Sequence, residues 1–452
     1  MNKVNKSISR NPAPGRRSPW GWIPTLYLAE GLPYFAVNTL TVLMYTNLGI
    51  SKTEMAFFTG WLYLPWVIKP FWSPFVDLIK TKRWWTLSMQ LFIAILMALV
   101  VFALPTSHYF QLTLIAFWLM AFCSATHDIA ADGYYMLELN ETEQAAYVGI
   151  RSTFYRVASV LGQGGLVILA GHFEQKLQDI PMAWAITFAI LSAFFLFIFF
   201  WDVFYMPRPS ADKPIAGVTA KNIFKDFGET FVTFFQKKHI WIALTFMLLY
   251  RLPEALCLKL VQPFLIEPRE VGGLALSTSE VGFVNGTIGV VCLLAGGVAG
   301  GLAIAKGGLR KWLWPMACAL TLPCLVYCFL AQSQTNNFIL ICTMMGIEQF
   351  GYGFGFTAFM LYLMYFSRGK SMTSHYAFCT AFMALGMMIP GMAAGWIFEK
   401  FRMLDLFGLG NDSGYVTFFW LVILSCIATF LAVLLVMPTL KNLETDDNLQ
   451  KD

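Results

Sequence analysis

The chain has 452 residues, of which 58% are hydrophobic and only 13% charged, with a mean hydropathy of +0.62. A soluble protein of this length needs far more polar surface, so that class is excluded. The net charge of +5 gives no case for nucleic-acid binding. The nine cysteines form no CxxC pair and fall mostly within apolar runs, which argues against a metal site or a disulfide framework.

Apolar runs of about 20 residues recur along the whole chain, the length a helix needs to cross the hydrocarbon core. Residues 1–19 form a basic tail, and the run beginning at Trp20 is too long for a signal-peptide core. The first six predicted spans run near 20–48, 53–77, 85–105, 109–138, 147–171 and 182–205. The second six run near 240–266, 279–305, 312–331, 337–366, 373–398 and 415–437. The predicted organisation is therefore a tail (1–19), a six-helix bundle (20–205), a linker (206–239), a second bundle (240–437) and a C-tail (438–452). In the linker, Ile223, Phe227, Phe231 and Phe234 recur at helical spacing, which predicts an amphipathic helix on the membrane surface. With the N-tail cytoplasmic, the tails and cytoplasmic loops carry 21 Lys and Arg and the opposite loops five. That bias places both termini in the cytoplasm.

The two halves echo each other. "SPFVDLIKTKRW" follows span two, and "GLAIAKGGLRKW" follows span eight. The second fits the loop signature of the major facilitator superfamily through Gly301, Lys306, Gly308, Arg310 and Lys311, with Ala305 where an acid is usual. The first keeps the acid at Asp77 and the bases at Lys82 and Arg83 but lacks both glycines. Equivalent places in a six-plus-six chain argue for two related bundles.

An ionised side chain at the bilayer centre costs roughly 2.5–3.5 kcal/mol or more, so such residues face a cavity or a partner. Here they are Glu30, Lys69, His127, Asp128, Asp132, Arg151, Arg156, Arg251, Glu254, Lys259 and Glu348. They fall mainly in spans one, four, seven and ten and their neighbours, the spans that line the central cavity of the major facilitator architecture. In "SATHDIAADGYYM", Asp128 and Asp132 lie four apart and share one helical face. Two like charges so placed resist ionising together, which predicts that one carboxyl holds and releases a proton. Span five brings Arg151 and Arg156 as candidate partners, although fixed ion pairs clamping spans four and five would use the same residues. His127 points about 100° away from Asp128. Lys69 either snorkels outward or faces the cavity. Glu30 and Glu348 are further proton-coupling candidates, though each could instead cap a helix break beside a glycine. Aromatic faces near these groups, among them Tyr134, Tyr135 and Tyr352, suit a sugar ring. The glycines of "GQGGLVILAG" in span five and "GYGFGF" in span ten allow close helix approach, in rocking contacts or in ordinary packing.

With these residues in view, the chain resembles the AmpG-type muropeptide permeases and the related acetyl-CoA transporters of the major facilitator superfamily. "YLAEGLPYF", "GWLYLPWVIKPFWSPFVD", "ATHDIAADGYYM", "EQFGYGFGFTAFMLYLM" and "SHYAFCTAFMALG" are similar to that family's spans one, two, four, ten and eleven. His127 and His375 stand where the family has Gln. The resemblance implies an all-α membrane protein of twelve transmembrane helices in two six-helix bundles. It implies proton-driven import of anhydromuropeptides across the bacterial inner membrane.

The site expected from residues and resemblance together assigns proton coupling to Asp128, Asp132, Glu30 and Glu348. It assigns substrate binding to Lys69, His127, Tyr134, Tyr135, Arg151, Arg156, Arg251, Glu254 and Tyr352. It assigns a conformational loop role to Asp77, Lys82, Arg83, Gly301 and Arg310. The expected partners are a small sugar-peptide or oligosaccharide, protons and the bilayer, with the chain a monomer. No cofactor or metal is expected, because His127 and the two acids lack further ligands at suitable spacing, and an enzyme is disfavoured on the same ground. An oligosaccharide importer without peptide specificity, or an exporter, are the alternatives.

Overall fold

The computed structural model describes residues 17–139, 141–209, 212–213, 220–369, 372–402 and 414–448. Among them there is helix and turn and no strand. Span one is Ile23–Phe35, a π-helical turn at Ala36–Leu40, and Thr41–Asn47. Span two is Lys52–Trp61 followed by Leu64–Leu78, and span three is Lys82–Ala103. Span four is the single helix Tyr109–Glu138. Span five is Glu141–Val160, a π turn at Leu161–Gly165, and Leu166–Leu177; span six is Ile180–Tyr205. In the second half, span seven is Ile240–Leu249 and Leu252–Ile266. Spans eight and nine occupy Thr278–Gly282, a π segment at Phe283–Gly289, Val290–Thr321 and Leu325–Ser333. Gly308 (φ 73°, ψ 159°) breaks this run and separates the two spans. That backbone region is open essentially to glycine alone. Spans ten, eleven and twelve are Phe338–Ser367, Met372–Phe401 and Tyr415–Asn448.

Local chemistry sets many of the starts. Ser51, Thr81, Asp179, Ser277 and Asn337 each accept a hydrogen bond from a backbone N–H of the first turn. Pro24 and Pro181 sit in the first turn of their helices, where a missing N–H costs nothing. Among the described residues, eight helices or continuous helical runs are long and apolar enough to cross a membrane by length and composition. Their outer faces carry bare apolar side chains such as Phe102 and Val298, at 75% and 64% exposure, which suits lipid and not water.

Spans one to six and seven to twelve pack as two bundles that meet mainly through span two against span eleven and span five against span eight. At the second contact the two π segments face each other. A Cβ added to Gly286 would lie 2.0 Å from the Gly164 Cα, so the backbones meet without side chains. The span-five glycines singled out in the sequence therefore form the crossing between the bundles.

The bundles are latched at the end opposite the N-terminus. Glu174 of span five accepts from Asn47 (2.6 Å), Trp184 (2.7 Å) and Thr278 of span eight. Lys52 reaches Glu267 at 2.7 Å, and the Tyr415 hydroxyl donates to the other oxygen of that carboxylate at 2.8 Å. The Lys52 ammonium also lies 4.9 Å from the centre of the Phe398 ring.

The linker contains the helix Ala220–Phe235. The side chains of Ile223 and Phe227 lie outside the described ones. Phe234 is fully buried against Phe366, Phe378 and Phe382, and the Thr233 hydroxyl lies 3.2 Å from His375 Nε2. This end of the helix is thus docked on spans ten and eleven, since burying a phenyl ring against aromatics exceeds what a half-wet membrane surface offers. Lys237 donates to the carbonyls of Phe366 (2.7 Å) and Arg368 (2.6 Å) at the end of span ten, and burial lowers its pKa below the usual lysine value.

Candidate substrate and ion site

The unbroken helix of span four keeps Asp128 and Asp132 on one face, one turn apart. Each meets a cation from a different neighbour. Lys69 of span two donates to Asp128 at 2.5 Å, and Arg151 of span five pairs with Asp132 at 2.7 Å. The Tyr27 hydroxyl of span one also donates to Asp132, at 3.1 Å. The Arg151 guanidinium lies 4.5 Å from the centre of the Tyr27 ring and 5.7 Å from that of Tyr135, a cation–π arrangement that holds it in place. Glu30 of span one completes the cluster. One oxygen from each of Glu30, Asp128 and Asp132 lies within 4.8 Å of the others, and Glu30 Oε2 is buried with no hydrogen-bond partner. Three carboxylates face two cations, so with all three ionised the cluster would hold one negative charge beyond its ion pairs.

A second polar group belongs to the other bundle. Arg251 binds Glu254 through two bonds of 2.8 and 2.6 Å and donates to the Tyr352 hydroxyl at 2.9 Å. Its guanidinium lies 4.8 Å from the centre of the Phe356 ring. Tyr34 and Tyr63, which share a hydrogen bond, approach Arg251 from the first bundle. Spans one, two, seven and ten thus converge here. Lys259 lies within span seven, its Nζ buried without a hydrogen-bond partner, 5.3 Å from the centre of the Tyr63 ring.

The other expected residues lie elsewhere. His127 was expected at the substrate site but is turned into the interior of the first bundle, fully buried. Its Nε2 is 3.3 Å from Gln90 Nε2, and Gln90 donates to Asp202 of span six at 2.8 Å. Thr25 donates to the other oxygen of Asp202 at 2.5 Å. The 100° offset from Asp128 is enough to put the imidazole in this different contact. Tyr134 is also fully buried, packed edge-on against Trp22, with its hydroxyl donating to the Pro207 carbonyl at 2.8 Å. Tyr135 contributes a ring face, since its hydroxyl donates to the Gln144 carbonyl at 2.6 Å. Arg156 is exposed and makes no ion pair among the described residues. Glu348 points into the second bundle, where it accepts from Gln349 at 2.8 Å and bonds Tyr327.

Of the loop residues, the side chain of Asp77 lies outside the described ones. Lys82 packs on Gly133, and Arg83 donates to the carbonyls of Val203 (2.6 Å) and Met206 (3.2 Å) at the end of span six. Gly301 has open space around it. Arg310 has an interaction partner.

Sequence reasoning missed Tyr27, Tyr34, Tyr63 and the Thr25–Gln90–Asp202 chain. Asp202, in "FFWDVFY", was the readable signal, being an acid near the end of a span. The latch residues Lys52, Glu174 and Glu267 gave none, because charges at helix ends are ordinary.

The family description Major Facilitator Superfamily matches residues 25–389. The chain is 24% identical over 430 residues to the "Anhydromuropeptide permease" of Escherichia coli (strain K12), covering 94% of this chain and 80% of that one. Among solved structures it is similar to a bacterial homolog of the human lysosomal transporter Spinster, in an inward-facing and unoccupied conformation. The TM-score there is 0.71 at 15% identity, over 95% of this chain and 98% of that one. It is also similar to a D-xylose-proton symporter, with a TM-score of 0.65 at 12% identity, over 91% and 96% of the two chains. These likenesses show the fold, and the family match extends from span one into span eleven. The chain belongs to the Major Facilitator Superfamily and is a multi-pass membrane transporter of small molecules, not an enzyme.

Proposed function

We propose that this transporter is a proton symporter that imports anhydromuropeptides or closely similar glycan-derived solutes across the bacterial inner membrane. The observation that carries the coupling is the excess charge in the Glu30–Asp128–Asp132 cluster. Lys69 and Arg151 neutralise two of the three carboxylates, and an unpaired charge at membrane depth is costly. One bound proton removes that cost, and solute binding or bundle movement that rearranges the pairs releases it. The cluster oxygens are close enough to hold a metal ion. A proton suits them better, because two of the acids are already engaged by cations at 2.5 and 2.7 Å.

The solute class rests on the similarity to the anhydromuropeptide permease over nearly the whole chain. Arg251, Tyr352 and the aromatic faces beside them would hold sugar rings and acid groups. The two bundles, 20–205 and 240–437, rock about the span-five and span-eight crossing. The loop charges favour cytoplasmic termini, which would make the latched end periplasmic and the state inward-facing.

The test is proton uptake by proteoliposomes on addition of an anhydromuropeptide, with free disaccharide, free peptide and a sodium gradient as comparisons. Solute-dependent alkalinisation outside the vesicles is expected, and Asp132→Asn abolishes it. Solute entry with no pH change, unaltered by Asp132→Asn, would remove the proton from the proposal. Equal uptake of the free disaccharide would reduce it to an oligosaccharide importer.

A further inference from the structure

Two adjoining hollows lie on the outer wall of the first bundle, away from the central site, at the end that carries the N-terminus. One, of about 530 Å³, is lined by Arg17, Arg83 and Arg208 together with Glu138. The other, of about 690 Å³, is an apolar groove along span six, lined by Phe197, Phe200 and Phe204 with Trp201 and Tyr205. Arg17 and Phe204 border both, so the basic hollow opens directly onto the apolar groove.

The walls are firm. Trp201 and Tyr205 stack with ring centres 4.2 Å apart, and Trp201 Nε1 donates to the Gly21 carbonyl at 2.7 Å. Arg83 is fixed by its bonds to the Val203 and Met206 carbonyls and keeps further N–H groups for a ligand. The three phenylalanines of the groove are 57%, 56% and 66% exposed, as lipid-facing side chains are. Trp and Tyr at this level mark the headgroup interface.

We propose that this double hollow binds an anionic phospholipid of the leaflet on the N-terminal side. The phosphate sits among Arg17, Arg83 and Arg208, and one acyl chain lies along Phe197, Phe200 and Phe204. Three guanidiniums against one carboxylate leave a positive wall, which selects an anionic headgroup over a zwitterionic one. The chain's own residues 1–16 do not suit it, because they carry Lys3, Lys6, Arg10 and Arg16 and no acid. Neither a soluble anion nor a neutral lipid uses both halves of the site.

Native mass spectrometry of the full chain tests this, with palmitoyl-oleoyl phosphatidylglycerol and phosphatidylcholine of the same chains as probes. About tenfold preferential retention of phosphatidylglycerol is expected, and Arg17→Gln with Arg208→Gln abolishes the preference. Both arginines are exposed, so the variant folds. Lys176→Gln with Lys400→Gln removes the same charge at the other end and leaves the preference intact. Equal retention of the two lipids overturns the proposal, as does an equal effect of the control pair. Glycerophosphoglycerol binding as tightly as the full lipid overturns it too, since the site would then take a free phosphate ester.

Discussion

The charge count in the acidic cluster makes a quantitative prediction about Lys69 and Asp128. With every group ionised, three carboxylates and two cations give the native cluster a formal charge of −1. Lys69→Met takes it to −2 and strands Asp128 without its 2.5 Å partner. Breaking a fully buried pair costs about 3–5 kcal/mol. These side chains are 28% and 19% exposed, and screening at that exposure brings the cost to about 2 kcal/mol. Asp128→Asn instead takes the cluster to zero, the charge of the proton-loaded state, and stability is kept or improved. The double variant returns to −1 and recovers most of what Lys69→Met loses, giving a coupling of about 2 kcal/mol. Thermal melting of the four detergent-purified proteins measures this cycle. In proteoliposomes Asp128→Asn keeps solute counterflow, which needs no net proton movement, but loses accumulation driven by a pH gradient. Additive melting shifts would refute the pairing, and normal accumulation by Asp128→Asn would refute the charge count as the coupling element.

Gly286→Leu drives a side chain into the Gly164 backbone. It prevents closure at the span-five and span-eight crossing, and cysteine accessibility from the latched side should rise severalfold. Gly308→Ala forces a non-glycine residue into φ 73°, ψ 159°, at a cost of about 1–3 kcal/mol seen in melting. His127→Gln keeps a polar side chain beside Gln90 and leaves transport within about twofold, whereas His127→Leu strips the amide of that contact and costs about 1–3 kcal/mol in melting. Glu174→Gln weakens the acceptor of three donors and shifts the population toward the state open at that end, read by spin-label distances across the latch.

The membrane class was legible because hydropathy and intramembrane charge are strong signals. Asp128 and Asp132 were legible as a face because helical periodicity is fixed. Which cation meets which acid was not, since sequence brought Arg151 and Arg156 together while the bundle brought Lys69 and Arg151. Lys69 is 59 residues from Asp128 in sequence, and only the packing of span two against span four decides that pair. His127 shows the opposite limit. Its neighbours in sequence suggested the cavity, but a rotation of one residue on the helix put it among Gln90 and Asp202. The linker's apolar stripe predicts a helix on the membrane surface, and the described end of that stripe, Phe231 and Phe234, packs on spans ten and eleven, because periodicity gives a face and not what covers it.

The linker has a mechanical consequence. Its first part is pinned to the first bundle, where the Asp212 carboxylate accepts from the backbone N–H groups of Lys82 (2.6 Å) and Arg83 (3.0 Å) at the start of span three. Its last part is pinned to the second bundle by Phe234 and Lys237. Between the pins, the chain from Lys213 to Ala220 can reach no more than about 25 Å. With the helix Ala220–Phe235 added, the linker is a tether of bounded reach, and it limits how far apart the two bundles can swing at the end that carries the termini.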